Sequence, residues 1–499
     1  MTEPHVVRAA DAARALLFVF AIFGSACATP RERPGFDRVE ELTAREGSSD
    51  LTWALSVDER NAIEAQVKSL LGPDLGPDDA VRIALLHNPE LQATYERLGF
   101  AEADLVEAGL LRNPTFAGAF MPGVGPLSGT RKVEVELTQS VMQLLLMPAR
   151  KRIEGERFEG AQLDVAARVL DVAAKTRRAW YALVAQRNVV ATLRVMESAA
   201  IASSGFAERL HAAGNLNELE LLRERGMAEE ARIARLEAET GLAGPREALV
   251  RLLGLRGHEG SWDVPAQLPA IPNADPAFDL AAPDALDGRL DLVAGRRFSS
   301  ALSEATELQR RWRYVPFVEA GVASSLEPGE GWTVGPALVL EIPIFQQGQP
   351  GIARLEAELR RTQRETEALE VAARAAAREA QAHLAAQRTL VERYRSVTIP
   401  LRQKTTAQAL RHYNYMLIGI FEVLAAKQDE ISAYEGYIGA VRDWWTALAD
   451  LERATGRRLR VASSEVAPVV EGVTDAPAEP CNDESCAHQG HSHSHPEAD

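Results

Sequence analysis

The chain has 499 residues, 46% of them hydrophobic and 25% charged, with a formal net charge of −16 at pH 7. That charge, with no concentrated basic stripe to neutralise phosphates, excludes nucleic acid as a partner. Three cysteines, Cys27, Cys481 and Cys486, are too few for a disulfide framework, and a low aromatic content with abundant alanine points to a helical fold.

Residues 1–26 read as an export signal. Arg8 and Arg14 precede the apolar run from Ala15 to Ala26, which is short of the roughly 20 residues a membrane-spanning helix needs. The ending "GSAC" resembles a bacterial lipoprotein box, in which Cys27 becomes the lipidated first residue. Gly24 and Asp11 depart from that pattern, and plain secretory cleavage nearby is the alternative. Residues 27–77 then form a lipidated segment and linker. No later run reads as a transmembrane helix, so a membrane crossing would have to use β-strands.

From residue 78 the chain reads as a tandem duplication. "HNPELQATYERLGFAEADLVEAGLLRNPTF" (87–116) aligns with "GRLDLVAGRRFSSALSEATELQRRWRYVPF" (288–317). Further on, "YALVAQRNVV" aligns with "AHLAAQRTLV", and Glu220 with Glu422, all at a near-constant shift. The first unit spans 78–256 and the second 287–460. Between them the Pro-rich stretch 257–286 has no helical or strand period and reads as a linker. Such a period is far too long for a solenoid, whose units run roughly 20–50 residues.

Each unit is predicted to run helix, two strands, then two long helices. In the first, Val133, Val135 and Leu137 share one strand face while Lys132, Glu134 and Glu136 share the other. In the second, Val318, Ala320 and Val322 line one face, as do Trp332, Val334, Leu338, Leu340 and Ile342. At about ten residues each, these segments have the length of tilted transmembrane strands. Trp332, at a strand start, suits an interfacial anchor. A helix is expected in the first unit from Pro148 to about Ala213. In the second, nothing breaks the helix from Gly351 to Ser396, and a heptad seam runs from Ile352 through Ala373, Ala376, Ala380 and His383 to Leu390 and Tyr394. At ~1.5 Å per residue that helix is on the order of 70 Å long.

Taken in this order, "AVRIALLHNPEL", "LLRNPTF", "GNLNELELL", "GPALVLEIPIFQQGQ" and "YNYMLIGIFEVLAAKQ" resemble the outer-membrane efflux (TolC-like) family. The second tip looks most like members linked to heavy-metal or copper efflux. The resemblance implies a mainly α fold with a small β part. Long coiled-coil helices carry four strands per protomer, and three protomers complete a twelve-stranded barrel. It implies a passive duct in the outer membrane, coupled through a periplasmic adaptor to an inner-membrane pump, with no enzymatic activity and no required cofactor. Gly214, Asn215 and Leu216, with Met416, Leu417 and Ile418, fall at the adaptor-contacting tips, and Glu422 at the periplasmic aperture, with Glu220 its first-unit equivalent. The family's arginine latch position holds Ile418. A periplasmic coiled-coil adaptor or a metal-binding lipoprotein scaffold is the competing reading. An adaptor has a single long hairpin, not a duplicated one.

The remaining candidates are histidines, tryptophans and the C-terminal end. His211, His383 and His412 lack a second ligand at metal spacing and read as surface or seam residues. Trp444 and Trp445 read as packing for the last helix. Residues 461–499 have the composition of a disordered tail. They hold Cys481, Cys486, His488, His491, His493 and His495, donors that suit Cu(I), Cu(II), Zn(II) or Ni(II). Their spacing matches no rigid zinc module, so metal capture by an accessory tail is expected rather than a catalytic site.

Overall fold

The computed structural model describes residues 31–45, 50–122, 131–256, 262–276, 286–315, 317–327 and 331–459. The chain opens with α1 (Phe36–Arg45), α2 (Val57–Leu70), α3 (Pro77–His87) and α4 (Pro89–Gly109). Strands β1 (Thr115–Pro122) and β2 (Arg131–Ser140) lead into α5 (Val141–Ala212), α6 (Glu218–Thr240) and α7 (Ala243–Leu253). The second unit repeats the plan with α8 (Leu290–Trp312), β3 (Val318–Glu327), β4 (Gly331–Leu340), α9 (Gln349–Arg393), α10 (Ile399–Asn414) and α11 (Ile420–Thr455). The duplicated order of helix, hairpin and long helices is the one the sequence predicts.

Two helix boundaries differ from expectation. α5 starts at Val141 rather than Pro148, because the Ser140 side chain caps it by accepting from Gln143 N–H. Pro148 lies inside, where it leaves one carbonyl of the preceding turn without its donor. The 72 residues of α5 make it about 108 Å long. The helical run begun by α9 also continues past Ser396. It passes through a π-helical turn, Tyr394–Thr398, into α10. Pro400 has no N–H for the i−4 carbonyl, and Ile399 N–H bonds Tyr394 O five residues back.

The predicted heptad seam of α9 drifts. It is buried at Ile352, Ala373 and Ala380, but the buried line also takes in Ala377 and then moves to Leu384 and Val391. Ala376, His383 and Leu390 face outward instead. A straight helix slips about 20° per heptad against a 3.5-residue repeat, and the buried line shifts in that way.

The two units meet in an aromatic hub. Tyr181 of α5 stacks on Trp445 of α11 with centroids 4.9 Å apart, and Trp444 meets Trp445 edge-on. Three indole N–H groups then reach outward. Trp180 donates to Leu75 O at 2.7 Å, Trp445 to Pro269 O at 2.9 Å and Trp444 to Asp275 Oδ1 at 3.0 Å. Arg388 adds bonds to Asp275 and Pro272 O. The stretch 262–276 is therefore no slack linker, although it contains neither helix nor strand. Trp262, Val264 and Leu268 are buried against the long helices. With α1–α3 and α7 it forms a belt on one side of the helical layer. The described residues from Arg31 onward are likewise more than a linker: α1 and an aromatic trio of Phe36, Trp53 and Tyr95 pack towards α5, while α2 packs on α3. A buried ion pair, Arg177 to Glu452, ties the units directly, and burial pushes the Glu452 carboxyl up against the pull of Arg177.

Candidate functional site

The strands form one antiparallel sheet in the order β1-β2-β3-β4, with β2 and β3 joining the two units. Alternation sorts most side chains by polarity, although Arg131, Gln139 and Ser324 fall on the apolar side. Phe116, Phe120, Val133, Val135, Leu137, Val322, Trp332, Val334 and Leu338 share one face, and Leu338 is 72% exposed. A patch of that kind seeks a non-aqueous partner. The opposite face carries Glu134, Glu136, Glu319 and Glu327 against a single cation, Lys132. Lys132 Nζ lies 2.9 Å from Glu134 and 3.0 Å from Glu327. Thr138 Oγ1 donates to Glu319 Oε2 at 2.8 Å. Strands β1 and β4 are open edges among the described residues. Below the sheet, Leu144, Leu145, Ile344 and Phe345 are also exposed, Phe345 to 96%.

At the far end the helical hairpins turn in two matched tips. In the first, Gly214 takes φ +78°, and the N–H groups of Gly214 and Asn215 close back on His211 O and Leu210 O. In the second, Met416 takes the same left-handed conformation, φ +56°, with Met416 and Leu417 N–H closing on Tyr413 O and His412 O. A non-glycine residue there is strained, and Met416 is 94% exposed. The two glutamates diverge. Glu220 belongs to a capping box with Asn217, each side chain meeting the other's backbone N–H. Glu422 occupies the equivalent helical position behind Gly419, which supplies no side-chain cap, and it is exposed. Ile418 is half-buried and Leu216 likewise, while Asn215, Tyr415 and Leu417 are exposed.

No protein-family model matches the sequence, and no curated protein matches it. Solved structures do. CusC, solved in a study of folding and transmembrane channel formation, is 16% identical over 78% of this chain and 94% of its own, with a TM-score of 0.65. The outer membrane protein VceC of Vibrio cholerae is 14% identical over 77% and 97%, with a TM-score of 0.64. The CmeC outer membrane channel of Campylobacter jejuni is 14% identical over 82% and 89%, with a TM-score of 0.63.

This is the TolC-like channel fold.

Within the TolC-like fold the two helical hairpins and single shared sheet separate the chain from the competing adaptor architecture, which has one hairpin. An open trough of about 1020 Å³ runs along α5, α8, α9 and α11. Its floor is alanine (Ala372, Ala373, Ala376, Ala447), and it lies on the side of α5 away from Trp180 and the belt. The sequence hid this trough because its residues come from four helices. The acidic strand face was half legible, from the Lys-Glu-Glu alternation in β2. Its share from Glu319 and Glu327 needed the strand register.

Trp444 and Trp445 are packing residues, as the sequence predicts. His211 Nδ1 lies 2.8 Å from Leu216 O within the first tip, and His383 only approaches Glu379. His412 is exposed. Among the described residues no group of three or more His, Cys, Asp or Glu side chains is placed to hold a metal ion, and no helix is long and apolar enough to cross a membrane. Trp332 stands at the head of β4 on the apolar face. The Cys27 position, the export signal and the Cys/His set from Cys481 to His495 lie outside the described residues.

Proposed function

We propose that three copies of this chain form an outer-membrane duct, an export channel fed by an inner-membrane pump through a periplasmic adaptor. The observation that carries it is the sheet, apolar on one face, charged on the other, with two open edges and long helices below, α5 alone about 108 Å. Lipid tolerates strands only where every edge is paired, and four strands cannot close on themselves. Three copies pair each β4 with the next β1, turn the apolar face to lipid and enclose the carboxylates. Exposed tips at Gly214–Leu216 and Met416–Ile418 are apolar or polar without charge, which fits docking by an adaptor.

A lumen with four carboxylates per ammonium in each copy favours cations, and exposed Glu422 adds a ring at the entrance. Heavy-metal cations are the substrate this reading favours. Glu422→Gln is expected to lower cation selectivity in planar-bilayer recordings with trimer yield unchanged. Glu220→Gln, whose side-chain carbonyl can still accept from Asn217 N–H in the capping box, should leave both tip stability and selectivity near wild type. Equal effects on selectivity, or anion preference in the wild type, would sink the proposed duct charge.

Lipidation at Cys27 belongs to the same reading. Arg31 N–H bonds Glu102 Oε2 at 3.0 Å, near the top of α4. Four residues reach at most about 14 Å, enough to bring Cys27 towards the base of the strands. Two or three acyl chains there would anchor the protein stably. The intact mass of the mature protein is expected to show a modified Cys27 at its N-terminus. A different first residue or an unmodified thiol overturns this.

The Cys/His tail is proposed to capture soft or borderline metal ions outside the folded body. Leu459, the last described residue, is buried and its N–H bonds Glu452 Oε1 at 3.0 Å. Removing 461–499 should leave trimers intact and abolish calorimetric binding of Cu(I) and Zn(II). In the full-length protein, binding should weaken below about pH 6 as imidazoles protonate. Undiminished binding after truncation would move the metal site into the body.

A further inference from the structure

Below the belt the helices of one copy lie in a single row. α6 packs on α5, α5 on α11 and α11 on α10, so α6 and α10 are the outer members. Above, the strands run in the same sense, with β1 and β4 outermost. A ring that closes β4 on the next copy's β1 must therefore also bring α10 against the next copy's α6.

The two outer faces are complementary. α6 buries Leu221, Ala231 and Ala238 towards α5, and its opposite side exposes Leu219, Leu222, Glu230 and Ile233. α10 turns Ile399, Gln403 and Thr406 towards α11, where Gln403 bonds Tyr434 Oη at 2.9 Å and Thr406 bonds Ala426 O at 3.2 Å. Leu401, Lys404, Arg411 and Tyr415 remain exposed on the other sides. α10 carries Arg402, Lys404 and Arg411 with no carboxylate, whereas α6 carries seven glutamates against four arginines.

The heights also agree. α6 rises from the tips while α10 descends to them, so the pair is antiparallel. At ~1.5 Å per residue, Ile233 stands about 22 Å above the start of α6, and Leu401 about 20 Å above the end of α10. Glu230 is at about 18 Å and Lys404 at about 15 Å. Leu219 meets the level of Tyr415. Neither Glu230 nor Lys404 has an ion-pair partner among the described residues.

We propose that α6 seats on α10 of a second copy, with Ile233 against Leu401 and Glu230 paired to Lys404. The proposal rests on the trimeric reading above. In a Cys481→Ser, Cys486→Ser background, Ile233→Cys with Leu401→Cys should give covalently linked dimers and trimers on denaturing gels after treatment with a short bis-maleimide. Each single variant should give none. If the double variant still forms heat-resistant trimers but bis-maleimide gives no link between copies, or links the pair within one copy, this seam is overturned and the trimer stands. Absence of trimers from the uncross-linked background protein fails the trimeric reading, and the seam with it. As a second measure, Lys404→Glu should speed trimer dissociation several-fold at low salt, an effect that salt screens, and adding Glu230→Lys should restore it. Lack of rescue in trimers that still assemble also overturns the pairing.

Discussion

Trp444→Ala is expected to destabilise each protomer by about 3–5 kcal/mol, the cost of emptying a fully buried aromatic site. Its side chain is 0% exposed. It meets Trp445 edge-on at 4.9 Å, lies under the Arg388 guanidinium at 5.5 Å and donates to Asp275 at 3.0 Å. Truncation therefore removes ring contacts and also leaves Asp275 with one fewer donor where the stretch 262–276 is pinned. Trp444→Phe keeps most of the volume and loses the N–H, so it should cost less, about 1–3 kcal/mol. Thermal melting of the trimer measures both. If Trp444→Ala melts within a degree or two of wild type, the hub is not what holds the two units together.

Replacing Gly321 should have a larger and more local effect, the loss of a closed sheet. A Cβ built on Gly321 falls 1.9 Å from Leu137 O and 2.7 Å from Thr138 Cα. Both obstacles are backbone, so no side chain can swing aside. These are the strands that pair across the duplication, with Gly321 opposite Thr138 and Val322 opposite Leu137. Gly321→Leu is expected to abolish heat-resistant trimers and insertion into liposomes. Gly335→Ala on β4 is the control, because nothing lies within 4 Å of its Cβ position. A Gly321→Leu protein that inserts normally would mean that β2 and β3 do not approach this closely in the membrane.

The duplication made much of this legible. Each unit repeats its phrases in order, and local signals such as the period-two alternation of β2 need only neighbours a few residues away. Those signals place the strands, the tips and the long helices. They do not place contacts that join distant segments. The Pro-rich stretch looked slack because its fixing partners, Trp444, Trp445 and Arg388, come more than a hundred residues later. Pro148 looked like a helix start because the Ser140 cap is a weaker mark than a proline.

The sequence by itself determined the architecture of this protein: two equivalent units, strand faces split between apolar and acidic, helices too long for a compact domain, and paired glutamates near the tips. The local sequence also separates those glutamates: Asn217 has a side chain that caps and Gly419 has none, so one carboxylate closes a helix end while the other stays exposed. Tertiary structure alone decided where the α9 seam turns, since the drift of a 3.6-residue helix against its heptads has consequence only when neighbouring helices are in place. It alone decided that α6 and α10 end the row, because which helix is outermost depends on packing order and not on any property of the helix itself.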